Sequence, residues 1–290
     1  GGRLLDHLIK HKYNVISMVR RPEQFKGKFP YKHPIRYGDT LDQNSLISAF
    51  KNIDIIFYLV HSLSQPDDFE RDEALSANNF IKAAEICGVK KIIYLGGLFN
   101  SNKPLSAHLR SRKKVGDIIR TSSIPSVTFR ASIILGSGSL SFDLIRNLTE
   151  CLPIMITPKW VRVKAQPIGV KDVLLYLTEA INLKITTHQI YEIGGPDCVS
   201  YSDIMLEYAR QRGLKRFIIP VPVLSPYISS LWLSIFTPIY SNIGKKLIRS
   251  IKTSTIVTNK DKTFADFSVK PIRFSEAISR AIKNEDNDIK

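Results

Sequence analysis

Two periodicities alternate along the first half of the chain. In some segments apolar residues recur every three or four positions, which is typical of helices that bury one face. In others they form short continuous runs, typical of strands buried on both faces of a parallel sheet. The runs from Asp54 to Val60 and from Lys90 to Gly97 are of the second kind. Because helices and strands take turns, the pattern predicts an α/β protein with a doubly wound parallel sheet.

The predicted elements are separated by short connections. The predicted helices in this region cover residues 1–10, 45–51, 68–87, 110–121 and 142–152, and the predicted strands cover residues 14–21, 34–39, 54–60, 90–97 and 127–130. Beyond about residue 150 the alternation loosens to a helix over 170–181, a strand over 189–193 and a helix over 202–212. We therefore predict a first domain over residues 1–158 and a smaller α+β substrate or partner lobe over residues 159–290, interleaved with it.

The first twenty residues indicate what the first domain binds. A helix that opens on Gly1 and Gly2 and a strand that ends at Arg20 are typical of the second half of a dinucleotide-binding βαβ unit. A complete unit has one more strand and two more glycines, so the first strand of this Rossmann-type sheet is expected to be missing. Gly1 and Gly2 would let the helix pack closely and direct its N-terminus at a pyrophosphate. The alternative is an ordinary helix start.

The basic pair Arg20 and Arg21 ends that strand, at the position that contacts the adenosine ribose. An acidic residue there binds the 2′-hydroxyl of NAD(H), whereas arginine accepts the 2′-phosphate of NADP(H) through its charge and its planar fork of donors. No acidic residue directly precedes the pair, so NADP(H) is favoured and NAD(H) stays open. The alternative is a solvated basic pair.

The formal net charge of +16 in 290 residues widens the range of partners. Such a field favours nucleic acid, an anionic membrane surface or a phosphorylated ligand. The lysines and arginines are scattered, however, which is more typical of a solvated surface, and no aromatic-basic stacking motif supports nucleic-acid binding. Three cysteines without a CxxC pair, and six histidines without a paired ligand context, argue against a disulfide framework and against a metal site.

The segment from Phe217 to Gly244 contains no charged residue and is long enough to cross a bilayer. Its four prolines fit a continuous membrane helix poorly. We favour packing inside the second lobe over an interfacial or partner-docking surface, and either of these over a membrane span.

Five short motifs resemble one family of nucleotide-binding proteins. They are Phe57–Leu63, Ile92–Leu98, His108–Arg112, Arg130–Gly136 and Tyr191–Asp197. Together they make the chain similar to atypical, extended short-chain dehydrogenase/reductases of the NmrA-like NAD(P)H-binding type, in particular to a bacterial subgroup whose longer members carry a C-terminal domain of unknown function. Such relatives begin with a Thr-Gly-x-x-Gly-x-x-Gly turn, and Arg273–Ile278 resembles the linker into the extra domain. Truncation at both ends is therefore expected.

The resemblance and the strand ends together assign cofactor contacts. Relatives contact the adenine amino group at the position of Asp39; the alternative is a loop aspartate that caps the next helix. Two neighbouring strands end at the edge over which cofactors lie in open α/β folds. The predicted contacts at these ends are Leu59, Val60, His61, Ser62, Gly96 and Gly97. The two glycines would let the nicotinamide ribose approach the backbone, and ordinary turn chemistry is the alternative for both strand ends.

The catalytic positions depart from the family pattern. A working short-chain reductase uses a Tyr-x-x-x-Lys helix with a serine on the preceding strand end, and the matching positions here are His108 and Arg112, with the serine position near Gly97. Histidine can donate a proton near neutral pH, whereas arginine can bind a ribose hydroxyl but cannot relay a proton. His108 and Arg112 are thus the candidate catalytic pair. Alternatively, they lie on one exposed helix face.

The sequence leaves two functions open. The first is an NADP(H)-dependent oxidoreductase acting on an apolar carbonyl or enone-type small molecule, with Phe217–Gly244 as a wall of the substrate pocket. The second is a non-catalytic NAD(P)-binding regulator or assembly factor for a membrane electron-transfer complex, which would dock on a protein or membrane through the same segment. The expected location is the cytoplasm, with peripheral association at the inner membrane.

Overall fold

The computed structural model describes residues 1–25, 33–61, 69–99, 104–157, 159–220 and 254–288. The helices are α1 Gly2–Lys10, α2 Pro22–Phe25, α3 Gln43–Phe50, α4 Phe69–Ile86, α5 Ala107–Ile119, α6 Leu140–Cys151, α7 Val170–Asn182, α8 Tyr201–Gln211, α9 Asp261–Asp266 and α10 Phe274–Asp288. The strands are β1 Ser17–Val19, β2 Ile35–Tyr37, β3 Ile55–Tyr58, β4 Lys91–Gly97, β5 Ser126–Ala131, β6 Ile134–Leu135, β7 Ile154–Thr157, β8 Lys164–Ala165, β9 Ile168–Gly169, β10 Gln189–Ile193, β11 Val199–Ser200 and β12 Phe217–Pro220. A 3-10 turn covers Lys159–Arg162.

Parallel strands form the framework, which confirms the predicted fold class. β1 and β2 pair in parallel, with Ser17 opposite Ile35, and a four-stranded parallel sheet has the order β10-β5-β4-β3.

The chain divides into two compact units that interleave along the sequence. The first unit comprises Gly1–Gly96, Ser111–Phe129 and Tyr176–Ile190, and the second comprises Gly97–Arg110, Arg130–Leu175 and Tyr191–Lys290. The division at residue 158 stays a prediction.

Buried aromatic side chains fix β3 within the first unit. Tyr58 at the end of β3 is 1% exposed, and its ring meets that of Phe80 edge-on, with 4.7 Å between the ring centroids. Phe80 in turn packs edge-on against Phe50 of α3. These contacts pack the carboxyl end of β3 against α4, which in turn packs against α3, and the candidate site begins at this strand end.

The second unit is built from short strand pairs and three packed helices. β6 pairs with β9 and β7 with β12 in parallel, and β8 pairs with β11 in antiparallel. Phe142 of α6, Tyr208 of α8 and Ile278 of α10 are fully buried in one core. The segment from Arg273 to Ile278, which resembles a linker, therefore enters a packed helix at Phe274.

The charge-free segment is described only at its beginning. Phe217–Pro220 forms β12, and residues 221–244 lie outside the described residues. Among the helices of the described ranges, none is long and apolar enough to cross a membrane.

Candidate functional site

A cavity of about 200 Å³ in the first unit lies at the carboxyl ends of β1, β2 and β3. It brings together four of the predicted cofactor contacts, namely Arg20, Asp39, Val60 and His61. These residues follow three different strands, and they meet because parallel strands end at the same edge of a sheet. Further lining residues are Thr40, which follows Asp39, and Asp72 and Ser76 of α4. We call this the small cavity.

The sequence leaves two roles open for Asp39, a contact to adenine and the cap of the next helix. In the structure the cap is formed by Asp42. The side chain of Asp42 caps α3, because Oδ1 accepts from the amides of Asn44 at 3.0 Å and Ser45 at 3.3 Å. The Oδ1 atom of Asp39 accepts instead from the amide of Leu41, at 3.0 Å, in a tight turn. The cap interpretation of Asp39 is therefore wrong, and its side chain is held at the wall of the small cavity.

A second, larger hollow of about 590 Å³ also lies in the first unit. Gly1, Gly2, Leu59 and Val60 line it, together with apolar residues of α1, β1 and β3. Its lining thus includes residues of both β1 and β3, and a Cβ on Gly1 would meet no atom within 4 Å.

A buried carboxylate anchors His61. Glu73 of α4 is 3% exposed, and its Oε1 atom lies 2.6 Å from Nδ1 of His61, while Oε2 accepts a hydrogen bond from the hydroxyl of Ser111. The contact between Glu73 and His61 is in the range of charge-assisted hydrogen bonds. His61 lines the small cavity, and its contact with Glu73 holds the imidazole ring in place.

Arg112 binds the ends of two strands. Its guanidinium donates to the carbonyl of Val60 at 3.3 Å and to the carbonyl of Leu95, and it lies 4.9 Å from the centroid of the Tyr94 ring. The hydroxyl of Tyr94 donates back to the Arg112 carbonyl at 3.0 Å. Arg112 thus cross-links the carboxyl ends of β3 and β4.

The neighbouring tyrosine stays neutral. Burial, and then the charges of Glu73 and Tyr94, raise the pKa of Tyr58, while Arg112 acts in the opposite direction. Tyr58 is therefore a neutral, packed side chain at neutral pH.

The two glycines at the end of β4 are crowded by side chains. A Cβ on Gly96 would lie 3.0 Å from the Tyr94 ring, and one on Gly97 would lie 3.0 Å from Cδ2 of Leu109. A larger residue at either position would require the neighbouring side chain to shift by a few tenths of an ångström, and the predicted contact of both glycines with a ribose stays a prediction.

The remaining predicted residues lie apart from the small cavity or outside the described residues. Arg21 is exposed and does not line it, and Ser62 falls in the range 62–68, outside the described residues. His108 and Arg112 both lie on α5, but His108 belongs to the second unit and Arg112 to the first. Both side chains are half-buried, so the alternative of an exposed helix face is wrong.

The small cavity has the donor and acceptor types that the adenosine half of a dinucleotide requires. Arg20 supplies a cation, and Asp39 and Asp72 supply acceptors for hydroxyl and amino groups. A family model described as NAD(P)H-binding matches residues 1–132. Residues 1–132 are an NAD(P)H-binding domain. Among curated proteins, none matches the chain in sequence.

Solved structures share the fold of the NAD(P)H-binding domain and of the rest of the chain. Citrobacter sp. triphenylmethane reductase complexed with NADP(H) is 19% identical, with a TM-score of 0.75 over 97% of this chain and 96% of that one. The Escherichia coli NADPH-dependent quinone oxidoreductase complexed with NADPH is 17% identical, with a TM-score of 0.71 over 96% and 95%. A Staphylococcus aureus nucleoside-diphosphate-sugar epimerase is 16% identical, with a TM-score of 0.75 over 96% and 95%.

Sequence reasoning missed Glu73 and Ser111. A signal for Glu73 was nevertheless present, because Phe69, Glu73 and Ala77 are spaced by four and lie on one face of the predicted helix. A carboxylate on an apolar helix face requires a partner in the interior. Ser111 carried no comparable signal, since a serine next to Arg112 is as common on a solvated helix face.

Proposed function

We propose that this protein is an NADP(H)-dependent oxidoreductase that reduces an apolar carbonyl or enone-type small molecule. The observation that carries the proposal is the small cavity, in which Arg20, Asp39, Val60 and His61 meet at the carboxyl edge of parallel strands. An NAD(P)H-binding domain with a cation at the ribose position favours the 2′-phosphorylated cofactor. The nicotinamide cofactor would supply a hydride.

The roles of the chain's own residues follow from this assignment. Arg20, with Arg21 beside it, would bind the 2′-phosphate, and Asp39 would accept from the adenine amino group. Arg112 would act as a positioning residue, because its guanidinium already holds the carbonyls of Val60 and Leu95. His108 would donate the proton that accompanies hydride transfer, as histidine can near neutral pH.

Turnover tests the enzymatic part of the proposal. NADPH oxidation is measured with a panel of quinones, enones and aldehydes, for the protein and for His108→Ala. We expect turnover of at least one class, and a loss of about 10²-fold or more in kcat in the variant, the usual contribution of a positioned general acid. His11→Ala changes an exposed histidine that directly follows α1; it is the matched control and should leave kcat unchanged. Binding of NADPH without any turnover contradicts the enzymatic proposal.

The second candidate is a non-catalytic NAD(P)-binding regulator or assembly factor. Arg112 favours this non-catalytic role. Its guanidinium binds the carbonyls of two strand ends, whereas the lysine at the same position of the Tyr-x-x-x-Lys pattern binds a ribose. The β7–β12 pair also favours it, since Ile154, Ile156, Phe217 and Ile219 are each about half-exposed on one face of the pair. Such a face, in a chain of net charge +16, fits an anionic membrane surface.

Flotation with vesicles of anionic phospholipid tests this candidate. We expect the protein to float and Phe217→Ser with Ile219→Ser to reduce flotation, whereas Leu175→Ser, another exposed apolar side chain, should not. Absence of flotation at low salt contradicts membrane docking.

A further inference from the structure

Two carboxylates line the small cavity beside the cation of Arg20. Asp39 follows β2, and Asp72 lies in the first turn of α4; both side chains are half-buried. Oδ1 of Asp39 accepts from the amide of Leu41 at 3.0 Å. Within the described ranges, neither Oδ2 of Asp39 nor the carboxylate of Asp72 has a hydrogen-bond or ion-pair partner. Carboxylate oxygens from two different elements are therefore available to a ligand in one cavity.

The position of Asp72 on α4 is not explained by packing alone. Asp72 and Ser76 are one helical turn apart and both line the small cavity, whereas Phe69 and Ala77 of the same helix are buried in the core. A carboxylate in the first turn also interacts favourably with the helix dipole. That interaction affects the stability of α4 and does not depend on which nucleotide binds, so it is separable by experiment from a contact with the ligand.

The two carboxylates require a ligand group that donates hydrogen bonds. An ionised carboxylate only accepts hydrogen bonds, and its charge repels a phosphate oxygen. The adenosine half of NADPH offers few donors, because its 2′-oxygen carries the phosphate. The 3′-hydroxyl has one hydrogen, and the adenine amino group has two. The amino group is therefore the donor that can satisfy two carboxylates at once.

We propose that Asp72 determines the base specificity of the cofactor site. Together with Asp39 it accepts the two hydrogens of the adenine amino group, so that the site rejects a nucleotide with a carbonyl oxygen at this position. The proposal rests on the cofactor site of the proposed function. A carbonyl oxygen would face a carboxylate oxygen with no hydrogen between them, which leaves a charged group unsatisfied. Sites that hydrogen-bond an NH group discriminate strongly against the analogue that lacks it.

The test is the ratio of two dissociation constants. NADPH and its hypoxanthine analogue, which carries a carbonyl oxygen in place of the amino group, are titrated into the protein by calorimetry. The analogue also has a hydrogen on N1, which can satisfy one carboxylate but leaves the other facing the carbonyl oxygen. We expect NADPH to bind about 10- to 100-fold more tightly than the analogue, the size of one hydrogen bond to a charged group.

Two variants show whether Asp72 causes this preference. Asp72→Asn should lower the ratio by about 10-fold, because a carboxamide can accept from the amino group or donate to the carbonyl oxygen. Glu85→Gln removes an exposed negative charge from the same helix and is the matched control, which should leave the ratio unchanged. A lost interaction with the helix dipole would act on both nucleotides equally and would not change the ratio.

The contradicting results separate the two proposals. Tight binding of NADPH and of the analogue with equal Kd values overturns the role of Asp72 and leaves the cofactor site standing. A ratio that Asp72→Asn leaves unchanged assigns the discrimination to other residues and also overturns it. Failure to bind either nucleotide overturns both proposals. Circular dichroism confirms that each variant retains the fold, and the ratio in the unchanged protein tests the proposal without any substitution.

Discussion

Gly195 is fixed by the backbone of another segment. A Cβ at this position would lie 2.5 Å from the carbonyl oxygen of Pro167, and the Gly195 amide donates to the same oxygen at 2.8 Å. No side chain fits there unless the backbone moves. The Gly-Gly-Pro motif that contributes to the family resemblance therefore has a packing reason in this chain.

Gly195→Ala should lower the free energy of unfolding by about 2–3 kcal/mol, because the added methyl overpacks a contact with backbone atoms. Urea denaturation measures the change. Gly116→Ala is the matched control: its Cβ would lie 3.4 Å from the Tyr94 ring, and alanine inside α5 should add about 0.5–1 kcal/mol. Equal effects of the two substitutions would contradict the account of Gly195.

At the residue scale, the sequence predicts those site residues that directly follow a strand. Arg20, Asp39 and His61 each follow a strand, so their meeting at the small cavity followed from the parallel sheet. Glu73 and Ser111 come from the middles of helices, and their contact with each other depends on helix packing that local sequence does not encode. The hydrogen bonds from Arg112 to two backbone carbonyls likewise depend on how the helix packs on the sheet, which local sequence does not encode.

At the scale of elements, Asp39 and Asp42 give a paired prediction about the start of α3. Asp42→Ala removes the side chain that caps two amides and should cost about 1 kcal/mol of stability without changing cofactor affinity. Asp39→Ala should do the reverse, weakening NADPH binding with a smaller loss of stability. Urea denaturation and calorimetric titration of both variants measure this. A larger loss of stability from Asp39→Ala would refute the assignment of the cap.

The start of α8 predicts a pH effect. Ser200 and Asp203 form a capping box in which Oδ2 of Asp203 accepts from the Ser200 amide at 2.7 Å. Burial acts to raise the pKa of Asp203, but the backbone and side-chain hydrogen bonds of Ser200, together with Lys164, outweigh it and lower the pKa. A lowered carboxyl pKa adds stability above the unfolded value, which is lost as the pH falls through the folded value.

Asp203→Asn should therefore cost about 0.5–1 kcal/mol at pH 7, and the difference from the unchanged protein should shrink as the pH falls below about 4. Thermal unfolding between about pH 3 and pH 7 measures it. A difference that stays constant over this range would show that the charge of Asp203 contributes nothing to the cap.

Long elements were predictable and two-residue strands were not. The helix predicted over residues 68–87 is α4, Phe69–Ile86, because eighteen residues repeat the apolar spacing several times. β6 with β9, and β8 with β11, contain two residues each, too few for any periodicity to appear. Such pairs form because neighbouring segments bring their backbones together, which is information that the local pattern lacks.

At the scale of the whole molecule, parallel strands place candidate functional residues at one edge of the sheet. Arg20, Asp39 and His61 follow the carboxyl ends of β1, β2 and β3, and all three line one cavity of the NAD(P)H-binding domain. The substrate class rests on a different feature, the charge-free segment from Phe217 to Gly244, of which Phe217–Pro220 is described. Cofactor choice and substrate choice are therefore separable by experiment.

The central claim is that Arg20 and Arg21 select NADP(H). Calorimetric titration of NADPH and NADH into the protein, and into the double variant Arg20→Ala with Arg21→Ala, tests it most directly. We expect NADPH to bind at least about 10-fold more tightly than NADH, and the double variant to bring the two Kd values within about 2-fold, since a charge-assisted phosphate contact is lost. Arg210→Ala with Arg280→Ala, two arginines of other helices, should leave the ratio unchanged. Equal Kd values in the unchanged protein, or equal weakening of both cofactors in the double variant, would contradict the claim.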